Sequence, residues 1–381
     1  YRISAFWGFF FVRTAGIICE YNPFHRGHLL QLRKTREMVG EDGAIVCLMS
    51  GYFVQRGEPA LFSPEVRTRV ALMHGADLVL ELPITGAVNA AGYFAETAVS
   101  CLHQMGCIDL LSFGSESGNL EDLCRIAEML DSAEMEAALK ARLETGASYA
   151  SARTLALGDL GADGALLRGA NNALGVEYLR SLRKLGSEMI PWTYRRDLSL
   201  PSASEIRGTL GQADWLDHLP GKELYRDAAP HTLLQGEKAM LAVLRALPDE
   251  AFDRMAFDGE GLSRKVRKAC RRENSIDGII MACKSKRYAY SRLRRTLMWL
   301  FLGLSQADVR REIPYVRVLG FNETGRKVLK MAKETGELPL VSGAVPKNLA
   351  AREYFLMESR AADLYTVFAE DRLRGWVPVR G

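Results

Sequence analysis

The chain has 381 residues, 48% of them hydrophobic and 25% charged, a composition ordinary for a globular protein with a large core and two or three domains. Its 50 Lys and Arg against 46 Asp and Glu leave a net charge of +4, which permits a polyanionic partner without requiring one. Seven cysteines, at positions 19, 47, 101, 107, 124, 270 and 283, form no C-x-x-C pair and no zinc-ligand spacing, which excludes a cysteine metal site and points to reduced thiols in a cytoplasmic protein.

Residues 1–11 contain Phe6-Trp7-Gly8-Phe9-Phe10-Phe11, apolar but too short to span a bilayer and without a cleavage site after it. We expect this stretch to be an over-extended start, with Val12 read from a GTG initiation codon. No membrane association is expected. Ile17, Ile18 and Cys19 then read as a short buried strand that breaks at Asn22-Pro23, and Leu29, Leu30 and Leu32 begin a helix. His25 and His28 thus fall at a helix N-terminus, where free N–H groups and the positive dipole end attract anions and Gly27 allows close approach. Two readings follow: the histidines cap the helix, or they hold phosphate.

Apolar runs at 43–49, 77–82 and 108–113 alternate with helical patterns at 64–74 and 91–105. This predicts an α/β fold, a Rossmann-like doubly wound parallel sheet, whose ligands sit beyond the carboxyl ends of the strands. There the segments 22–28, Ser50-Gly51, Pro83 and Gly114-Ser115-Glu116 converge. An amphipathic helix over 120–130 and a Gly/Ala-rich loop over 158–170 follow. Asn171-Asn172 leads a helical stripe through Leu185, as simple N-caps or as ligand contacts. The extended stretch 191–197 ends in Arg195-Arg196, and Ser202-Ala203-Ser204-Glu205-Ile206-Arg207 offers two hydroxyls, helix-start donors and a fixed cation suited to a triphosphate. Read alone, this last run is a capping motif.

The last third is expected to be mostly helical and to bind RNA. Arg264, Lys265, Arg267, Lys268, Arg271 and Arg272 form one basic run; Lys284, Lys286, Arg287, Arg292, Arg294 and Arg295 form a second, which contains no acid. Tyr288 and Tyr290 interleave with the second set, placed to stack on unpaired anticodon bases. The plainer alternative is two solvated helix faces.

His25-x-Gly27-His28 with the late Ser-x-Ser-x-Ile206-Arg207 resembles the HxGH nucleotidyltransferase superfamily. Gly16-Ile-Ile-Cys-Glu-Tyr-Asn-Pro-Phe-His-Arg-Gly-His28, Met49-Ser-Gly-Tyr-Phe-Val-Gln-Arg-Gly-Glu-Pro-Ala60, Gly75-Ala-Asp-Leu-Val-Leu-Glu-Leu-Pro83 and Phe113-Gly-Ser-Glu116 look like the bacterial tRNA(Met) cytidine acetate ligase family. The family often has Asn where Arg26 stands. The resemblance implies an enzyme that activates acetate with ATP as acetyl-adenylate and acetylates the wobble cytidine of elongator tRNA(Met). It implies catalytic roles for His25, His28 and Arg207. It also implies ATP contacts from Ile17, Glu20, Tyr21, Asn22, Pro23, His25, Gly27, His28, Gly114, Asn172, Arg195 and Arg196, joined by Asn171, Ser202 and Ser204. Gln55, Arg56 and Glu58 are expected on the acetate or RNA side. Mg2+ is expected with ATP, although no acidic cluster identifies its ligands; no protein partner is inferred. The expected division is an ATP-binding domain over 12–215 and a mostly helical tRNA-binding domain over 216–381. Two other readings stay open: a small-molecule adenylyltransferase or carboxylate-amine ligase of the pantothenate synthetase type, and an RNA-binding protein with a vestigial nucleotide site.

Overall fold

A computed structural model describes residues 13–147, 149–259, 261–342, 348–369 and 379–380; residues 1–11, expected to be an over-extended start, lie outside them. The strands in chain order are β1 (Thr14–Cys19), β2 (Ala44–Ser50), β3 (Phe53–Val54), β4 (Glu58–Pro59), β5 (Leu78–Leu82), β6 (Leu110–Ser115), β7 (Ile190–Arg195), β8 (Val316–Phe321), β9 (Leu340–Val341) and β10 (Val379–Arg380). The main sheet runs β10-β8-β5-β2-β1-β6-β7, with β9 beside β8, and β3 and β4 form a separate hairpin. Its neighbours pair parallel except for β5 with β8. The doubly wound sheet expected from the alternation of elements is the fold observed.

Strands covered on both faces read as continuous apolar runs, and every residue of β2 and β5 is buried. Side chains alternate across the sheet with period two. Val46 and Leu48 enter a core shared with the helices Ala91–His103 and Ala170–Leu185, whereas Ile45, Cys47 and Met49 enter a core with Leu32, Val70 and Ile206 on the opposite face.

A third core lies apart from the sheet. Helices Leu233–Ala246, Leu262–Arg272, Ile276–Cys283 and Tyr290–Leu302 close around Trp299, and the hairpin residues Tyr52, Phe53 and Val54 pack into the same cluster. The chain after residue 215 is not only helical. β8 returns to the sheet beside β5, because Val316 and Val318 complete its apolar face and Asn322 Nδ2 donates to Asp77 Oδ1 at 2.9 Å. The stretch 158–170, expected as a loop, also holds a short 3-10 turn, Gly164–Arg168. All seven cysteines are free, and among the described residues no helix is long and apolar enough to cross a membrane.

Candidate active site

The carboxyl ends of β1 and β6 open into a cavity of about 420 Å³ that the N-terminal turns of four helices approach: Arg26–Val39, Ala91–His103, Ala170–Leu185 and Ala203–Gly208. Each helix start leaves N–H groups without intrahelical partners, so their convergence makes the cavity attractive to anions.

The first helix is entered through a left-handed Tyr21, φ 46°, and a cis Asn22–Pro23 bond. His25 is its N-cap, and its Nδ1 accepts from the Gly27 N–H at 3.0 Å. His28 Nδ1 accepts from the His25 N–H at 3.3 Å, so the two imidazoles cap the helix reciprocally. An Nδ1 that accepts a hydrogen bond leaves the proton of a neutral ring on Nε2. Both rings line the cavity, their centroids 3.8 Å apart. Burial pushes the His25 pKa down to about 4, with Arg196 and Arg207 adding to the effect. Burial against Tyr21 and Phe24, and then His25 and Arg196, hold His28 well below the usual histidine range. The site therefore presents two uncharged ring donors beside two guanidinium groups.

Arg207 reaches in from the opposite side, with Nη1 on the Asn22 carbonyl at 2.6 Å and Nη2 on Ser204 Oγ at 3.3 Å. Ser202 caps its short helix in a reciprocal box with Glu205, and Ser202, Ser204 and Arg207 all line the cavity. The capping reading of this run is thus realised, and the same residues face the cavity. Desolvation raises the pKa of the half-buried Glu20; the Gln55 N–H donates to its Oε1 at 2.7 Å and opposes that rise, as do Arg207, Arg67 and Arg56. Gln55 and Arg56 also line the cavity, and the Gln55 side-chain amide nitrogen is buried without a hydrogen-bond partner. Gly114 is required by close approach: a Cβ there would lie 2.9 Å from the Tyr194 ring and 3.0 Å from Arg196 Cγ.

Four expected contacts are corrected. Ile17 is wholly buried in the sheet core, because strand alternation turns Ile18 to the cavity instead. Pro23 serves the turn and lies outside the lining. Arg195 packs over Gly118, leaving Arg196 to face the cavity. Asn172 is buried with its side chain committed, Oδ1 to the Ser117 N–H and Nδ2 to the Leu166 carbonyl, so Asn171 is the member of the pair that lines the cavity.

Glu116 was not singled out as a site residue. Its carboxylate accepts from Asn171 Nδ2 at 2.8 Å and from the Asn172 N–H at 2.7 Å, and lies 3.7 Å from Arg196. Burial would raise its pKa, but these amide donors outweigh burial and hold it below the usual range. The signal for it was its place at the end of β6. Arg67 was also missed. Wholly buried, it donates to the Phe62, Glu20, Ser50 and Gly51 carbonyls and so ties the ends of β1 and β2 beneath the site.

The second basic run divides. Lys284, Lys286 and Arg287 are exposed in the loop between two helices. Tyr288 is corrected from a stacking platform to a core side chain: it is 8% exposed, packs in the helical cluster and donates its hydroxyl to the Gly259 carbonyl. Tyr290 donates to Asp277 Oδ1 at 2.9 Å, and Arg292 donates to the Phe257 carbonyl at 2.7 Å while lying over the Tyr288 ring. Arg294 turns away from solvent, its Nε on the Arg56 carbonyl at 2.7 Å and its Nη1 paired with Glu58. Burial, then Arg294 and Arg292, lower the Arg295 pKa to about 10. In the first run, Arg267 and Arg271 share Asp249.

For a metal, Glu20 and Glu116 are the carboxylates that line the cavity, and both already accept amide hydrogen bonds. Among the described residues no group of three or more His, Cys, Asp or Glu is set to hold an ion. That donor set does not make a cage of its own for Mg2+.

The sequence matches the family described as HIGH Nucleotidyl Transferase over residues 12–375. A Clostridium novyi protein named tRNA(Met) cytidine acetate ligase is 37% identical over 368 residues, 89% of this chain and 91% of that protein. A Thermoanaerobacter protein of the same name is 36% identical over 380 residues, 92% of this chain and 94% of its own. The crystal structure of Thermotoga maritima TmcAL bound with alpha-thio ATP superposes with a TM-score of 0.87 at 29% identity, covering 97% of this chain and all of that one. Fold, histidine turn and relatives agree: the chain belongs to the tRNA(Met) cytidine acetate ligase family of HIGH nucleotidyl transferases.

Proposed function

We propose that the chain binds ATP in the cavity at the ends of β1 and β6, activates acetate as acetyl-adenylate and acetylates N4 of the wobble cytidine of elongator tRNA(Met). The observation that carries the reading is the pair of neutral imidazoles, each with Nδ1 occupied by a backbone N–H, facing one cavity with Arg196 and Arg207.

In the first step an acetate oxygen bonds to the α-phosphorus as the bond to the β-phosphate oxygen breaks and pyrophosphate leaves. Negative charge builds on phosphoryl oxygens, and donors fixed before the reaction stabilise it without reorganising. His25 and His28 supply such donors through Nε2–H, and Arg196 and Arg207 supply charge. In the second step the cytidine N4 attacks the acyl carbon, loses a proton and expels AMP. Holding the two reactants together is the main contribution the protein makes here, and no covalent protein intermediate is needed.

Within this reading Glu20, Tyr21, Asn22, Gly27, Gly114, Asn171, Ser202 and Ser204 surround the nucleotide. Gln55 and Arg56 face the acetate, and the unpartnered Gln55 amide is a donor for a carboxylate oxygen. Mg2+ enters as the counter-ion of ATP. Residues 12–215 serve the nucleotide, and the helices after 216, with Lys284, Lys286 and Arg287, serve the tRNA in the cytoplasm. The test is incubation with ATP, acetate and bulk tRNA, followed by nucleoside analysis. N4-acetylcytidine in the elongator tRNA(Met) fraction is expected. Pyrophosphate exchange with another carboxylate and none with acetate would replace this reading with a small-molecule ligase, and tRNA binding with no exchange would leave a binding protein.

A further inference from the structure

Arg294 sits in a basic run, yet its guanidinium is spent inside the protein. Nε donates to the Arg56 carbonyl at 2.7 Å, Nη1 pairs with Glu58, and the side chain is 15% exposed. Arg56 lies in the turn between β3 and β4, 238 residues away in sequence, and Glu58 is the first residue of β4. Gly57, between them, has φ 71°, and a Cβ on it would lie 2.9 Å from the Arg295 backbone. The tip of the hairpin is therefore seated directly on the first turns of helix Tyr290–Leu302. On its other side the hairpin is held by the Gln55 N–H on the half-buried Glu20 carboxylate at 2.7 Å. Gln55 and Arg56, which line the cavity, are thus gripped from both directions: by the nucleotide site through Glu20 and by the basic helix through Arg294.

We infer that Arg294 is a positioning residue for acetate activation: its forked guanidinium fixes the turn that carries Gln55 and Arg56 and joins that turn to the helix following Lys284, Lys286 and Arg287. The inference rests on the proposed reaction, because it takes the Gln55 side of the cavity as the acetate side. Arginine suits the task since a planar fork satisfies a carbonyl and a carboxylate at once, whereas a lysine ammonium is a single point charge on a flexible stem. A turn displaced by an ångström moves the donors that orient acetate, and misplacement on that scale costs up to on the order of a hundredfold in rate.

The experiment is acetate-dependent ATP–pyrophosphate exchange without tRNA, on the full chain and its R294K, R294Q and G57A variants. R294K keeps the charge and loses the fork. G57A keeps every charge and lifts the tip off the helix. All three are expected to raise the acetate KM by about tenfold while the ATP KM stays within about twofold. In parallel, R294K is expected to keep the dependence of tRNA affinity on salt, since the charge is retained and faces the hairpin. Wild-type acetate KM in R294K and G57A would overturn the inference. So would an R294Q effect confined to tRNA affinity with a shallower salt dependence, the mark of a phosphate contact. A wild-type chain without acetate-dependent exchange would instead overturn the proposed function, so the two failures are distinguishable.

Discussion

At the two histidines, capping the helix and facing the cavity are one arrangement. The backbone N–H groups that the imidazoles cap are the groups that fix the tautomer, because an occupied Nδ1 puts the proton on Nε2. A protonated ring would lose its cap and would stand beside Arg196 and Arg207, which is why burial and these cations push His25 down to about 4 and His28 well below its ordinary value. In the unfolded chain both rings return to about 6.5. Below that pH the unfolded state binds protons that the folded state does not, so stability present at neutral pH is lost progressively as the pH falls toward about 4. The urea midpoint of the wild-type chain should therefore decline between about pH 7 and pH 5, and in His28→Gln part of that decline should vanish. An identical pH profile in the variant would show that His28 is not held neutral. The pairing of a hydrogen-bonding residue type with a helix start was legible in the sequence. Glu116 and Arg67 were not, because their roles depend on partners up to 56 residues distant in the chain.

At the level of elements, β8 shows what alternation alone does not reveal. Val316-Arg-Val-Leu-Gly-Phe321 is a short, mostly apolar run of the kind that forms a strand, but it follows a long helical stretch, and nothing local says that it returns to pair antiparallel with β5. Its return brings Arg317 between two carboxylates, Glu81 at 3.4 Å and Glu358 of the helix Leu349–Tyr365 at 3.7 Å, all at most 8% exposed. One cation serves two buried acids. Burial, then Glu81, pushes the Glu358 pKa up to about 8 against the pull of Arg317 and Tyr315. The folded chain thus keeps a proton that the unfolded chain releases above about 4.5. The stability this group contributes is complete below that value and is lost as the pH rises through about 8. Glu358→Gln stands for the protonated carboxyl, so the difference in Tm between variant and wild type should grow in the variant's favour from about pH 6 to pH 9. A difference independent of pH would mean that the proton is not held there. By contrast β1, β2, β5 and β6 were legible because their residues are almost all buried and each is followed within four residues by Gly or Pro, so local pattern and final environment agree.

Across the whole molecule, the proposed function places two chemistries on two cores that meet at the β3–β4 hairpin. The ring and guanidinium donors that line the cavity stand at the carboxyl ends of the sheet, whereas Lys284, Lys286 and Arg287 project from a helical cluster built around Trp299. The hairpin belongs to both, with Tyr52, Phe53 and Val54 in the helical core and Gln55 in the cavity at the ends of β1 and β6. The basic run, read as one RNA surface in the sequence, is split by folding because helix periodicity turns Arg294 inward and Tyr288 is taken up by the core. The exposed remainder sets the expected outcome of charge reversal. In Lys286→Glu with Arg287→Glu, affinity for tRNA should fall, and the slope of log affinity against log salt should become shallower by about one to two, since each neutralised phosphate contributes close to one. Acetate-dependent pyrophosphate exchange without tRNA should keep the wild-type KM for both ATP and acetate, because neither side chain lines the cavity. Filter binding across a salt series, with exchange assayed on the same preparations, measures both. Equal loss of tRNA binding and exchange would show that the loop supports the nucleotide site itself. Undiminished tRNA affinity would move the RNA surface elsewhere, with the run Arg264 to Arg272 the next basic segment to reverse.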